Sequence, residues 1–341
     1  MRLADGSGWV AIGDTLIEGH TRSRVRIEQG RGSSRGHHAV SCQAVVRAVD
    51  NEAATRWTTK LGDNGNGKYS VGYSVIEVGG GSVAGRGVAA VLQGSSALYA
   101  GVGLWSADTG NKQKAAVVAL DKQTGAVLWT RVLGAAQAQH GGARSCVMDG
   151  ADIVCAGYVR YGQTGFVFVA DEGRPAVWRL NSAGDILTET FLEVEGMGQV
   201  AKIRKDAAGF VLCSTAWSVL GGQDVNVVAV VKLSSSLAVE WSQTYGLAGG
   251  NSQVFDMLVD REGHYLLGGH TTVGEGVVNW DYLALRVDSQ TRQVLWRKAW
   301  GQPRGFDARY IHDEMYGVAL DNDVSSQRHS YSLSSPCVCS G

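Results

Sequence analysis

The feature that most constrains this chain is a short apolar run that recurs five times. Each copy ends in small residues and is typical of a buried strand in a sheet. The copies lie at 8–13, 97–101, 152–157, 209–214 and 263–268. Such repetition indicates an array in which each unit buries its apolar face against the next.

Three further strands can be predicted around each run, so the repeating unit is a four-stranded sheet. A third strand follows each run, and a fourth follows after a turn. The fourth strands are centred on Trp57, Trp129, Thr188, Trp241 and Trp296, and first strands are predicted at 74–78, 143–147, 199–203, 253–259 and 315–320. We therefore predict an all-β fold, a β-propeller of about five four-stranded blades.

The composition agrees with this fold. Glycine accounts for 47 of the 341 residues, proline for only 3, and charged residues make up 18%. Many tight turns need glycine, whereas long exposed helices would need more Glu and Lys. The net charge of −1 gives no electrostatic reason to bind nucleic acid or an anionic membrane. No stretch is apolar enough to span a bilayer.

The two ends of the chain predict how the ring closes. The first blade lacks a first strand, and the strand at 315–320 lacks a second one. Pairing them would complete one blade and remove exposed sheet edges. This predicts a propeller over 1–323, an irregular tail over 324–341, and blades at 1–57 plus 314–321, 58–129, 130–190, 191–241 and 242–296. The alternative is a truncated part of a propeller with more blades.

The turn before one fourth strand carries a distinctive motif. Residues 119–129 read Ala-Leu-Asp-Lys-Gln-Thr-Gly-Ala-Val-Leu-Trp. Asp and Gly suit the turn, and the large Trp ring suits packing against a neighbouring blade. The segment resembles the Ala-x-Asp-x-x-x-Gly-x-x-x-Trp docking motif of quinoprotein-like (PQQ-type) propeller repeats. The segment from Asp288 to Trp296 keeps its spacing, with Arg292 in the glycine place.

The resemblance implies tryptophan docking between blades but not the chemistry of that family. Its dehydrogenases use eight blades, adjacent paired cysteines and a calcium-bound quinone, and the sequence shows no sign of these. We therefore expect no cofactor. A divalent metal ion is compatible with the residue types but is not supported by their spacing.

The cysteines and the chain start bear on localisation. Four of the six cysteines lie in apolar runs, where we expect small buried hydrophobes rather than a disulfide scaffold. These are Cys42, Cys146, Cys155 and Cys213. The first residues lack the apolar core of a signal peptide. This predicts a soluble, cytoplasmic monomer, or an extracellular protein if the N-terminus is incomplete.

Long loops on one face are where a ligand is expected to bind. The strand 2–3 and strand 4–1 connections share that face, and the long ones are predicted at 15–42, 102–114, 158–175, 217–224, 270–280 and 301–314. The candidate ligand-binding residues are Gln199, Gln253, Arg309, Trp105, Trp217, Trp280, His270, Arg22, Arg24 and Arg26. The glutamines fall in one row at the channel mouth, the aromatic rings suit stacking, and the arginines suit an acidic group. Channel water, loop anchoring and a solvated loop are the plainer alternatives.

The densest titratable cluster is His312, Asp313 and Glu314. Carboxylates beside a histidine suit acid–base chemistry or, with His140 and His270, a mixed metal site. Solvated charges in a loop are the alternative. Two functions remain open at this point. The first is a binding module for a protein, peptide or glycan. The second is an enzyme, a hydrolase, lyase or oxidoreductase, with its site at the channel mouth.

Overall fold

The fold is all-β, as predicted. The computed structural model describes residues 16–18, 23–31, 42–50, 54–63, 70–77, 97–106, 109–110, 112–134, 140–161, 173–273, 280–300, 315, 317–320 and 331–334. Within these residues the regular elements are strands, and none is an α-helix.

The described strands form five four-stranded antiparallel sheets and one strand pair, and neighbours in each sheet are consecutive in the chain. The first sheet contains β1 (Leu16–Glu18), β2 (Ser23–Arg31), β3 (Cys42–Asp50) and β4 (Thr55–Leu61). The second contains β5 (Val71–Glu77), β6 (Ala97–Ser106), β7 (Lys112–Asp121) and β8 (Val127–Val132). The third contains β9 (His140–Asp149), β10 (Asp152–Arg160), β11 (Arg174–Leu180) and β12 (Ile186–Phe191).

The C-terminal half repeats this order. The fourth sheet contains β13 (Lys202–Lys205), β14 (Gly209–Leu220), β15 (Gln223–Ser234) and β16 (Val239–Tyr245). The fifth contains β17 (Ser252–Val259), β18 (Tyr265–Thr271), β19 (Asp281–Val287) and β20 (Val294–Trp300), and the pair contains β21 (Gly317–Leu320) and β22 (Tyr331–Ser334). The sheets from β5–β8 to β17–β20 are arranged as four blades of a β-propeller.

The predicted closure of a five-blade ring is not confirmed. Val318, in the strand predicted to complete the N-terminal blade, pairs with Leu333 of β22. β22 lies in the segment predicted as an irregular tail, and the apolar run at 8–13 is not among the described residues. The sheet β1–β4 packs beside β5. Ring closure therefore remains a prediction.

The predicted loop at 15–42 contains two strands instead. β2 pairs with β3 along its whole length, from Ser23 opposite Asp50 to Arg31 opposite Cys42. The reason is a period-two alternation in which Val25 and Ile27 follow basic residues, as a half-buried strand requires. Arg24 and Arg26 are therefore strand residues. The loop predicted at 102–114 is likewise mostly strand, because β6 extends to Ser106 and β7 begins at Lys112.

A long hairpin replaces the loop predicted at 217–224. β14 and β15 stay paired from Gly209 opposite Ser234 to Leu220 opposite Gln223. Gly221 and Gly222 form the two-residue turn with φ of 61° and 77°. Such a turn needs left-handed conformations at both positions, which glycine adopts without strain.

Contacts between sheets join three of the fourth strands, β4, β8 and β16, to the turn of the following sheet. The Trp57 indole Nε1 donates to Lys122 O at 3.0 Å, and Trp129 Nε1 donates to Ser182 O at 3.2 Å. At Gly125 (φ 73°), a Cβ would lie 2.4 Å from Trp57 Cε3, so the turn leaves no room for a side chain. Arg292 takes this place in a later sheet with φ 64°, and its guanidinium lies over the Trp241 ring at 5.1 Å.

A disulfide corrects the expectation for two cysteines. Cys146 and Cys155 are opposite each other in β9 and β10 and are joined by a disulfide. Cys213 is a buried free thiol, as expected. Burial raises the pKa of the Cys213 thiol to about 12, so it stays protonated and behaves as an apolar group.

Candidate functional site

The two ends of each blade differ in how they are built. One end carries the strand 1–2 and 3–4 turns. There, Asp121 Oδ1 accepts from the amides of Gln123 and Thr124 at 3.0 and 2.8 Å, and Asp288 Oδ1 accepts from Gln290 and Thr291 at 2.9 and 2.7 Å. These turns satisfy their own backbone donors. The other end, which we call the loop-bearing end, carries the strand 2–3 and 4–1 connections.

Three first strands have a β-bulge near the loop-bearing end. The register between first and second strands skips one residue in each case, and the skipped residues are Tyr73, Arg144 and Phe255. Close backbone approach accompanies the bulge: a Cβ at Gly157 would lie 1.8 Å from Gly142 O, and one at Gly269 would lie 1.9 Å from Gln253 O. Bulges re-aim side chains and are frequent beside functional sites.

The bulge of β9 places Arg144 in a group that we call the basic cluster: Tyr73, His140, Arg144, Tyr158 and Arg160. The Arg144 guanidinium lies 5.2 Å from the Tyr73 ring centroid and 5.8 Å from that of Tyr158. The Tyr158 hydroxyl and His140 Nδ1 share a hydrogen bond of 3.1 Å. His140 and Arg160 are opposite each other and buried.

Burial and charge fix the protonation states of the basic cluster. Burial, followed by the positive charges of Arg160 and Arg144, lowers the pKa of His140 to about 4. Burial, together with Tyr73, raises the pKa of Tyr158 well above its usual value, against the opposing effect of Arg144 and Arg160. At neutral pH the histidine and the phenol are therefore uncharged, and the positive charge resides on the two guanidinium groups.

The bulge of β17 brings together three of the predicted residues. His270 Nε2 donates to Gln253 Oε1 at 2.7 Å, and both side chains are buried. Phe255 and Trp280 approach the imidazole edge-on, with ring centroids at 5.0 and 4.4 Å. We call Gln253, Phe255, His270 and Trp280 the aromatic cluster. Gln253 and the two aromatic rings therefore all contact the His270 imidazole.

The other predicted residues fall in different surroundings. Gln199 is buried before β13, and its carbonyl accepts from Ser214 Oγ at 2.6 Å. Trp217 is 42% exposed on the long hairpin. Trp105 is a β6 residue opposite Gln113, not a loop residue. Arg22, Arg309, His312, Asp313 and Glu314 are not among the described residues, so their binding and catalytic roles remain predictions.

Metal-ligand clusters and membrane spans were also sought in the described part of the chain. There, no three His, Cys, Asp or Glu side chains converge as metal ligands. In the same residues, no helix has the length and apolar character needed to cross a membrane.

Sequence reasoning missed the basic cluster as a unit. It noted His140 as a possible metal ligand, but did not bring it together with Tyr73, Arg144, Tyr158 and Arg160. The available signal was the Gly141–Gly142 pair between His140 and Arg144. A Cβ at Gly142 would lie 2.6 Å from Tyr73 Cε2 and 3.2 Å from Tyr158 Cε1, so glycine lets both rings approach the strand.

Comparison with known proteins yields distant structural likenesses. No family model matches the chain, and no curated protein matches its sequence. Similar solved structures include a quinohemoprotein alcohol dehydrogenase from Pseudomonas putida (10% identity, TM-score 0.38) and a europium-containing methanol dehydrogenase (10%, 0.40). The alignments cover 76% and 87% of this chain and 51% and 53% of those chains. Hydrazine synthase from Kuenenia stuttgartiensis has 11% identity and a TM-score of 0.39, covering 80% of this chain and 73% of that one.

This chain spans about half the length of the two dehydrogenases. At these identities and TM-scores, the likeness carries no conclusion about the activity, cofactor or ligand of this chain.

Proposed function

We propose that the protein is a binding module whose ligand is a protein or peptide held at the loop-bearing ends of the blades. The observation that carries this proposal is the exposed apolar end of the β14–β15 hairpin, which lies in the sheet next to the basic cluster. The turn end consists of tight turns whose polar groups are satisfied internally. At the loop-bearing end, adjacent sheets present an exposed apolar hairpin and the basic cluster.

The hairpin supports a protein or peptide rather than a glycan. Trp217 is 42% exposed, and Val219, two residues further along the same face of β14, is 67% exposed. An exposed Trp is a frequent anchor of protein interfaces. A sugar would use the flat indole, but Val219 offers nothing to its hydroxyl groups, whereas an apolar peptide side chain would cover both residues.

A selected peptide and a matched pair of variants test the proposal. A random phage-displayed peptide library is panned against the full chain, and the tightest peptide is titrated by calorimetry. We expect Trp217→Ala to weaken its binding at least about tenfold, because anchor residues typically contribute 1–2 kcal/mol or more. Leu128→Ala, which removes a 52% exposed residue just after a turn at the opposite end, should leave the affinity unchanged.

Two results would contradict the proposal. One is a selected peptide that binds Trp217→Ala as tightly as the unmodified chain. The other is a glycan array that gives saturable, Trp217-dependent binding when no peptide is selected, which would assign the surface to a sugar.

A further inference from the structure

We propose that the basic cluster is a site for one oxoanion group, a carboxylate, sulfate or phosphate, with Arg144 as its main ligand. This inference deepens the proposed function and rests on it, because it names the chemical group that the bound partner would present. It is argued from the position of Arg144, its neighbours and its unfilled hydrogen-bonding capacity.

The backbone and two aromatic rings fix the position of the Arg144 side chain, as a preorganised anion ligand requires. The bulge sets its backbone, and the rings of Tyr73 and Tyr158 lie against its guanidinium at 5.2 and 5.8 Å. Stacking on aromatic rings leaves the edge of the guanidinium, which carries its N–H groups, available to an acceptor. The buried Nε of Arg144 has no hydrogen-bond partner among the described residues.

The equivalent bulge positions in two other sheets hold Tyr73 and Phe255, which are both aromatic. A guanidinium with an unfilled buried donor costs stability at such a place, whereas an aromatic ring would not. A buried donor that has no acceptor within the protein is a feature often found at functional positions.

The charge around Arg144 favours an anion. Arg144 and Arg160 both lie close enough for their charges to lower the pKa of His140, so the imidazole adds no charge at neutral pH. Two acidic residues described on β9 and β10, Asp149 and Asp152, are at the opposite ends of those strands, where both bind Arg179. An oxoanion at Arg144 would offset the charge of that guanidinium and accept a hydrogen bond from its unfilled Nε–H.

Titration with simple anions tests the site without any partner. Sodium sulfate, phosphate and acetate are each compared with sodium chloride at constant ionic strength, by calorimetry and by NMR titration of the His140 imidazole. We expect saturable binding of at least one oxoanion and an upward shift of the His140 pKa on binding. Comparing the affinities for sulfate and phosphate with the affinity for acetate shows whether the site prefers a tetrahedral anion or a carboxylate.

Two variants separate the site from a general salt effect. Arg144→Phe copies Phe255 and should stay folded by circular dichroism while its oxoanion affinity falls more than tenfold. Arg144→Lys keeps the charge but loses the planar edge, and should bind about tenfold more weakly. An identical oxoanion response in the unmodified chain and in Arg144→Phe would overturn the inference, as would no response in either. Because the peptide titration at Trp217 is a separate measurement, failure here is distinguishable from failure of the proposed function.

Discussion

β9 and β17 contain the same kind of β-bulge, but the residues at the two bulges differ in chemistry. In both, the first strand gains a residue opposite the second, and a glycine, Gly157 or Gly269, lets the strands approach. At β9 the added residue is Arg144, which lies over the Tyr158 ring. At β17 it is Phe255, which meets His270 edge-on.

The difference teaches that the backbone sets where a side chain is aimed, and the residue type alone sets what it can do there. In the aromatic cluster, the bulge residue Phe255 is apolar, and the polar contact is the hydrogen bond between His270 and Gln253. The basic cluster concentrates positive charge around a neutral histidine. Binding chemistry can thus be confined to one blade while the repeat is preserved.

The largest loss of stability is expected at the glycine that each of the two bulges requires. Gly157→Ala and Gly269→Ala would each place a Cβ within 2 Å of a backbone carbonyl oxygen, at 1.8 and 1.9 Å respectively. Because the obstructing atom belongs to the ladder, it cannot rotate away, and each change should lower the free energy of unfolding by about 3 kcal/mol. Urea denaturation measures the loss.

The control for this prediction is Gly150→Ala. Gly150 has φ of 64° and no atom within 4 Å of a built Cβ, so only backbone strain of about 1 kcal/mol is expected. Equal losses at Gly150 and Gly157 would show that close approach does not hold the bulges in place.

A smaller effect, confined to the basic cluster, should appear in the pH dependence of stability. Because the pKa of His140 is lowered from 6.5 to about 4 in the folded protein, the unfolded chain takes up this proton first as pH falls. Its contribution is fully present above pH 6.5 and is lost as pH falls towards 4. Between pH 7.5 and 4.5, the free energy of unfolding of the unmodified chain should fall by roughly 2–3 kcal/mol more than that of His140→Gln. Urea denaturation of both proteins at the two pH values checks this, and parallel losses would contradict the assigned protonation state.

The smallest loss of stability is expected from changes in the aromatic cluster. His270→Leu removes the donor to Gln253 Oε1 and leaves that buried oxygen unsatisfied, which should cost about 1–2 kcal/mol. The double variant Gln253→Leu/His270→Leu removes both partners and should regain part of the loss. A double variant less stable than the sum of the two single changes would argue against this pairing.

Much of the strand pattern could be predicted because apolar runs and turn residues are local signals. The predicted first strand at 143–147 lies within β9, and the run at 152–157 lies within β10. The Asp121 and Gly125 turn behaves as its residue types indicate, with an aspartate cap and a glycine at φ 73°. Ring closure is not local, because it depends on which distant strands pair.

Other features had signals that were not used. Gly221–Gly222 between two apolar runs indicates a hairpin turn. Cys146 and Cys155 lie symmetrically about the Gly150–Ala151 turn, so pairing of their two strands places them opposite each other. The alternation around Val25 and Ile27 indicates a strand.

The candidate site was harder to predict because it depends on register. Gln253 and His270 were both selected from the sequence, but their direct hydrogen bond follows only from the pairing of β17 with β18. Likewise, Tyr73 and Arg144 are far apart in the chain and belong to different sheets. Composition and net charge give no sign of their contact.

The contacts between fourth strands and the following turns give the molecule a direction of assembly. Trp57 cannot reach its acceptor until the chain 65 residues further on is present, and Trp129 and Tyr245 wait for acceptors 53 and 47 residues later. During synthesis, Trp57, Trp129 and Tyr245 would therefore each lack this contact until the next sheet leaves the ribosome. These three contacts would therefore form in the order in which the sheets are synthesised.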